Sequence, residues 1–342
     1  MASLGSANID CRQGGSAVDP AAGRAGYIFN PTIAGIEQAD ALLLIGSNPR
    51  FEASVLNARI RKRWRLGDFP IGAVGDIGDP RYDYEALGSG PDSLKQLLDG
   101  KSKFVSALKK AQRPLIIVGQ GALARPDGSA VLGLAAKLAV DLKAVREDWN
   151  GFAVLHNAAA RVGGLDIGLV PGEGGKDVAG MMGSALDVLF LLGADELDMN
   201  AVGDAFTVYI GTHGDAGAHR ADVILPGSAY TEKSGTYVNT EGRVQMTNRA
   251  GFAPGQAKED WAILRALSDV LGHKLPFDSL SQLRARLYGD YPLMAAIDEI
   301  QPGEAATVAK LAKLGGRLGN APFVPPVRDF YLTNPIARAS AV

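Results

Sequence analysis

Six short apolar runs, each stopped at once by a glycine or a proline, constrain this chain more than any other feature. They are 41–45 (ALLLI) before Gly46, 70–74 (PIGAV) before Gly75, 114–118 (PLIIV) before Gly119, 186–192 (LDVLFLL) before Gly193, 206–210 (FTVYI) before Gly211, and 221–225 (ADVIL) before Pro226. Runs of this length without polar alternation predict strands buried on both faces, and the helix-like stretches between them predict parallel crossovers. The expected fold class is therefore α/β with mainly parallel sheets. Ligands of such sheets sit at the carboxyl ends of the strands, so the turns after these six runs are where a site is sought first.

The 342 residues exceed what one hydrophobic core normally covers. Two stretches resemble one another: ADALLLIGSNP (39–49) and ALDVLFLLGADE (185–196), with Gly46 and Gly193 in corresponding places. Each is followed by a second strand and a Gly-Asp step, at 70–76 and 206–215, which points to two related nucleotide-binding-like units. Beyond residue 270 the periodicity weakens. Helices are expected over 278–299 and 303–318, with an extended strap over 319–342.

Composition narrows the function classes. A formal charge of −2 gives no global attraction to nucleic acid or anionic lipid, and the basic run Arg59, Arg61, Lys62, Arg63 and Arg65 is confined to one predicted helix. No direct membrane span is expected, because no segment approaches about 20 consecutive apolar residues. The beginning MASLGSANIDCRQGG carries neither a basic nor an apolar leader region. Cys11 is the single cysteine, so the chain supplies neither an internal disulfide nor the thiolates of a zinc site. An iron–sulfur cluster needs about four cysteine ligands and cannot be built from this chain alone.

Individual motifs give weaker signals. The turn GSNPR (46–50) passes from strand into a helix with Pro49 near its first position, Ser47 or Asn48 as cap and Glu52 at its positive end. Such a junction also holds a phosphate in other proteins. In VGQGALARPDG, Arg125-Pro126 interrupts a dinucleotide fingerprint where the third glycine and helix should come. His213, Asp215 and His219 lie in a glycine-rich loop at spacings that do not define a metal set, and Asp215 is expected to make turn hydrogen bonds. His156 and His273 have no partner signature.

The stretch 221–272 adds a denser pattern. It contains ADVILP, then Glu232-x-x-Gly235-Thr236, Asn239-x-Glu241-Gly242-Arg243 and Gln245, and later Pro254, Gly255, Ala257, Asp260 and Trp261. In this order the residues resemble the molybdopterin-dependent oxidoreductases. The wording of 25–64, 213–243 and 328–340 further resembles the family of the large iron–sulfur subunit of respiratory NADH:quinone oxidoreductase (complex I), along essentially the whole chain.

The resemblance implies two αβα units of the formate dehydrogenase and DMSO reductase kind, here bounded as 1–105 and 106–272, followed by a helical and extended region at 273–342. In the cofactor-bearing relatives such units cradle a pair of pterin dinucleotides, whereas the complex I relatives keep the fold without the cofactor. It also implies that the 2Fe-2S and 4Fe-4S clusters belong to an N-terminal half outside this chain, which resembles a fragment beginning inside the molybdopterin-oxidoreductase-like region. No catalytic residue, metal ligand or cofactor is expected within 1–342. The positions that would border a vestigial pterin cleft are Gly46, Asn48, Arg50, Gly193, His213, Asp215, Glu232, Asn239, Glu241 and Arg243. Implied partners are the cluster-bearing half of the same subunit and other peripheral-arm subunits, on the cytoplasmic side of the inner membrane or the matrix side in mitochondria. An active molybdenum or tungsten oxidoreductase and a stand-alone nucleotide-binding module are the competing expectations. The turns GSNPR, GDIGD, GADELD and GTHGD carry several acids and one base, Arg50, a poor rim for a ligand with four phosphates.

Overall fold

The computed structural model describes residues 1–340. Five strands form the first sheet: β1 (Ala41–Ile45), β2 (Ile71–Val74), β3 (Glu85–Ala86), β4 (Pro114–Val118) and β5 (Phe152–Val154). Their order is β3-β2-β1-β4-β5 and every pairing is parallel, with Leu42 beside Ile71 on one side and Leu115 on the other. All five residues of β1 are fully buried. On one face, Leu42 and Leu44 pack with Leu56 and Ile60 of the helix Ser54–Trp64. On the other, Leu43 and Ile45 pack with the helices Pro91–Leu98, Phe104–Lys110 and Gly128–Asp141. Helices on both faces, with the strand order reversing between β1 and β4, make this a doubly wound sheet.

The second sheet comprises β6 (Val188–Leu192), β7 (Phe206–Gly211) and β8 (Val223–Pro226), also parallel and in sequence order. Leu189, Leu191 and Tyr209 are covered by Val202 and Ala218 from the two short connections. On the opposite face the centre is buried, Val208 and Ile210 being 7% and 1% exposed, but the periphery is not: Val188, Phe190, Leu192 and Phe206 are 49%, 36%, 53% and 49% exposed. A hairpin of β9 (Thr236–Val238) and β10 (Val244–Met246) follows.

The six expected strands all form, with bounds moved by at most two residues. The short β3 and β5 carry too few apolar residues to announce themselves. Because β4 and β5 hydrogen-bond into the sheet of β1, the expected boundary between residues 105 and 106 falls inside the first sheet. The division by sheets lies between β5 and β6. Sequence order misplaces it because a doubly wound sheet returns to its centre before building the second flank.

The expected helix 303–318 is only Ala306–Leu311, and the chain passes through Gly315 and Gly316 (φ 153°) into an extended course. This short helix belongs to the first unit's core: Thr307, Val308 and Leu311 are buried against residues 23–26 and the helix Gly128–Asp141. The helix Leu280–Asp290 falls within the expected 278–299. Ala341 and Val342, the end of the expected 273–342 region, lie outside the described residues.

Candidate functional site: the carboxyl edges of the two sheets

Both sheets turn at their carboxyl ends through a glycine in left-handed conformation, Gly46 (φ 57°) after β1 and Gly193 (φ 59°) after β6. At Gly46 the fit is also tight, since a Cβ there would stand 2.5 Å from the amide nitrogen of Ala122. The turn after β1 thus touches the turn after β4, as a switch point requires.

The polar groups at this edge satisfy one another. The Asn48 carboxamide oxygen accepts from Arg50 N at 3.1 Å and caps the helix Pro49–Glu52. Glu52 accepts from the Ser47 hydroxyl at 2.7 Å and from Asn48 N at 3.1 Å, and burial raises its carboxyl pKa. Two backbone N–H groups that would face a phosphate at such a junction are therefore taken by side chains of the same turn. Arg50 points away to the carbonyl of Asp79, at 2.6 Å. Buried Gln120, after β4, donates to Leu155 O. His156 is held in its neutral form, burial lowering its pKa to about 4; its Nε2 lies 2.7 Å from the carbonyl of Tyr27.

The second edge repeats this self-satisfaction with carboxylates. Asp195 accepts from Gly217 N at 2.9 Å and from the Tyr209 hydroxyl at 2.8 Å. Asp215 accepts from Ala216 N at 2.8 Å, so both acids sit at the start of the short helix Ala216–Arg220. The His213 ring lies 2.8 Å from the Thr212 hydroxyl, and its carbonyl accepts from Tyr209. Gly193 is open to solvent.

The remaining expected positions lie elsewhere. Glu232 accepts from Ala229 N at 3.0 Å within its own turn. Asn239 accepts from Glu241 N and Arg243 N and so shapes the tip of the β9–β10 hairpin. Buried Glu241 accepts from Ile33 N at 2.8 Å and pairs with Arg243. The hairpin is further tied to residues 24–33 by Phe29 N donating to Thr240 O and by Arg24, which reaches Gly242 O. Arg24 is also held by the buried carboxylate of Asp166, which accepts from the Tyr27 hydroxyl as well. Polar and glycine-punctuated as it is, this loop is an anchor for the N-terminal segment.

Three residues outside the sequence expectation complete the edges, all through the C-terminal segment. Phe323 is 1% exposed and lies against Gly75 after β2. Arg125 stacks over its ring at 5.1 Å, donates to Ala321 O and Pro322 O at 2.8 and 3.0 Å, and pairs with Asp127. At the second edge, Arg338 pairs with Asp215 at 2.7 Å and with Glu196 at 2.9 Å, and the hydrogen bond from Arg338 depresses the Asp215 pKa. Rims counted turn by turn omit these contacts, because Arg125 meets its carbonyls 196 and 197 positions away and Arg338 its carboxylates 123 and 142 positions away. Among the described residues no group of three or more His, Cys, Asp or Glu is placed to hold a metal ion, and no helix is long and apolar enough to cross a membrane.

A doubly wound parallel sheet beside a second parallel sheet, with crevices at their carboxyl ends, defines the class. Residues 1–270 match the molybdopterin oxidoreductase family, and the chain belongs to that family. Residues 298–342 match the C-terminal region of the G-type subunit of NADH-ubiquinone oxidoreductase. The chain is 43% identical to NADH dehydrogenase (ubiquinone) iron-sulfur protein 1, mitochondrial, of Solanum tuberosum, over 99% of this chain and 45% of the relative. It is 44% identical to the 78 kDa subunit of NADH-ubiquinone oxidoreductase of Neurospora crassa, over 93% and 43%. Against the 75 kDa subunit of Reclinomonas americana the identity is 42%, over 93% and 46%. The chain thus spans under half the length of these relatives.

Proposed function

We propose that this chain is a cofactor-free scaffold region of the large iron–sulfur subunit of an NADH:quinone oxidoreductase, carrying no catalytic residue of its own. In this reading the clusters reside in the part of the relatives that the chain does not match, and the region packs beside it in the peripheral arm. The whole subunit takes part in electron transfer from NADH to quinone, as a peripheral component on the cytoplasmic or matrix side of the membrane.

One observation carries the cofactor-free part: the groups at both carboxyl edges are already matched to one another. A pair of pterin dinucleotides presents four phosphates, which require free N–H groups and unpaired guanidinium or ammonium groups. Here the N–H groups of Asn48, Arg50, Ala216 and Gly217 are taken by Glu52, Asn48, Asp215 and Asp195. Arg50, Arg125 and Arg338 are engaged by Asp79, Asp127, Asp215, Glu196 and backbone carbonyls. Anionic carboxylates at the second edge would repel phosphates. The residues do not fit the cofactor, and no step is assigned to it.

Metal and pterin analysis of the purified full-length protein tests this reading. The expected result is neither molybdenum nor tungsten above trace and no extractable pterin; stoichiometric metal with pterin would establish the active oxidoreductase instead.

A further inference from the structure

Residues 319–338 touch both carboxyl edges. Gly319 N donates to Asp127 at 2.8 Å, and the carbonyls of Ala321 and Pro322 accept from Arg125. Phe323 N donates to Ser89 O at 2.7 Å, and its Cβ and carbonyl lie against Gly75 while its ring is buried under Arg125. A Cβ on Gly121, in the turn after β4, would stand 2.7 Å from the carbonyl oxygen of Val324. The segment therefore lies over the turns after β2 and β4, beside Gly46, and continues to Arg338 on Asp215 and Glu196. Each of its holds takes the form a ligand's would: an aromatic ring in a pocket, carbonyls on a guanidinium, and a cation on paired carboxylates.

We propose that residues 319–338 are an intramolecular plug that occupies the switch-point crevice of the first sheet, with Phe323 as the stopper and Arg125 as the clamp. The crevice is closed to nucleotides because the chain's own tail is its ligand. The same tail bridges the two carboxyl edges. This deepens the cofactor-free reading and rests on it for context, but its test is separate, since a plug can be displaced whether or not a metal is ever acquired.

Hydrogen–deuterium exchange on the full chain, with ADP as the probe ligand, tests it. In Phe323→Ala, peptides covering 44–50, 72–78 and 118–124 should exchange at least about tenfold faster than in the wild type, with peptides of β6 and β7 unchanged. A second variant, Gly90→Val, leaves the core side chains intact. Gly90 has an extended backbone (φ −156°), and an added Cβ meets first the carbonyl oxygen of Ala321, at 3.1 Å. It should release the same three peptides. The wild type should bind no ADP saturably at millimolar concentration. Three results would overturn the proposal: crevice peptides that stay protected in Gly90→Val while 319–330 exchanges freely, acceleration spread evenly over both sheets in both variants, or ADP binding to the wild type that Phe323→Ala leaves unchanged.

Discussion

β1 and β6 read alike, ALLLIG and VLFLLG, and end in glycines with φ of 57° and 59°, yet they occupy opposite situations. β1 is the centre of five strands, with helices on both faces and every residue fully buried. β6 is the edge of three strands, and its alternate residues Val188, Phe190 and Leu192 face outward. Apolar content specifies that a strand is meant for a parallel sheet; it does not specify how many layers are present to cover it. In the second sheet both crossovers fall on one face; on the other, Val208 and Ile210 of the central strand are buried while the edge strand stays partly exposed.

The largest expected effect sets these strands directly against each other. Leu43→Ala should lower unfolding free energy in urea by about 3–5 kcal/mol, because it opens a cavity in a filled core. The matching Leu192→Ala should cost under about 0.5 kcal/mol, since that side chain is 53% exposed. Equal losses would mean that the second sheet is covered as fully as the first.

Next in size is the buried pair that ties the hairpin and the N-terminal segment to the first unit. Arg24→Ala strands the Asp166 carboxylate, whose side chain is 0% exposed, and should cost about 3 kcal/mol in the same assay. Arg338→Ala, its counterpart on the second unit, breaks partly solvated pairs only.

A pH effect of intermediate size belongs to the first unit. The folded pKa of His156, about 4, lies below the unfolded value of 6.5. The unfolded chain therefore binds the proton more readily, and stability falls as pH drops from 6.5 toward 4. The loss should be about 3 kcal/mol, and His156→Gln should remove that slope relative to wild type in urea titrations at several pH values. An unchanged slope would place the imidazole in contact with water.

The smallest expected change is at the second edge. Arg338→Ala should cost about 0.5–1 kcal/mol, and less at high salt, because its partners are partly solvated. The Asp215 carboxyl should then titrate closer to its ordinary range, as NMR would detect.

How much of the site is legible in the sequence follows from distance along the chain. Local chemistry is readable: Asn48 caps its helix, Glu52 closes the same turn, and Asn239 shapes its hairpin through neighbours no more than four residues away. The acid-rich rim is readable as composition, though not as a set of partners. In the sequence Arg125 is a fault in a dinucleotide fingerprint, and Phe323 is one apolar residue in a proline-rich tail. Their meeting depends on the tail doubling back across the first sheet, and no periodicity encodes that.

The sequence by itself determined the strands, their parallel pairing and the glycine turns that end them, because buried apolar runs and left-handed positions are imposed by neighbouring residues. Only the tertiary structure decided which strands share a sheet, that β1 is buried on both faces while β6 is an edge with one side half exposed, and that the tail lies in the crevice. Those outcomes depend on which surfaces meet across hundreds of residues, where burial and pairing are collective properties of the packed chain.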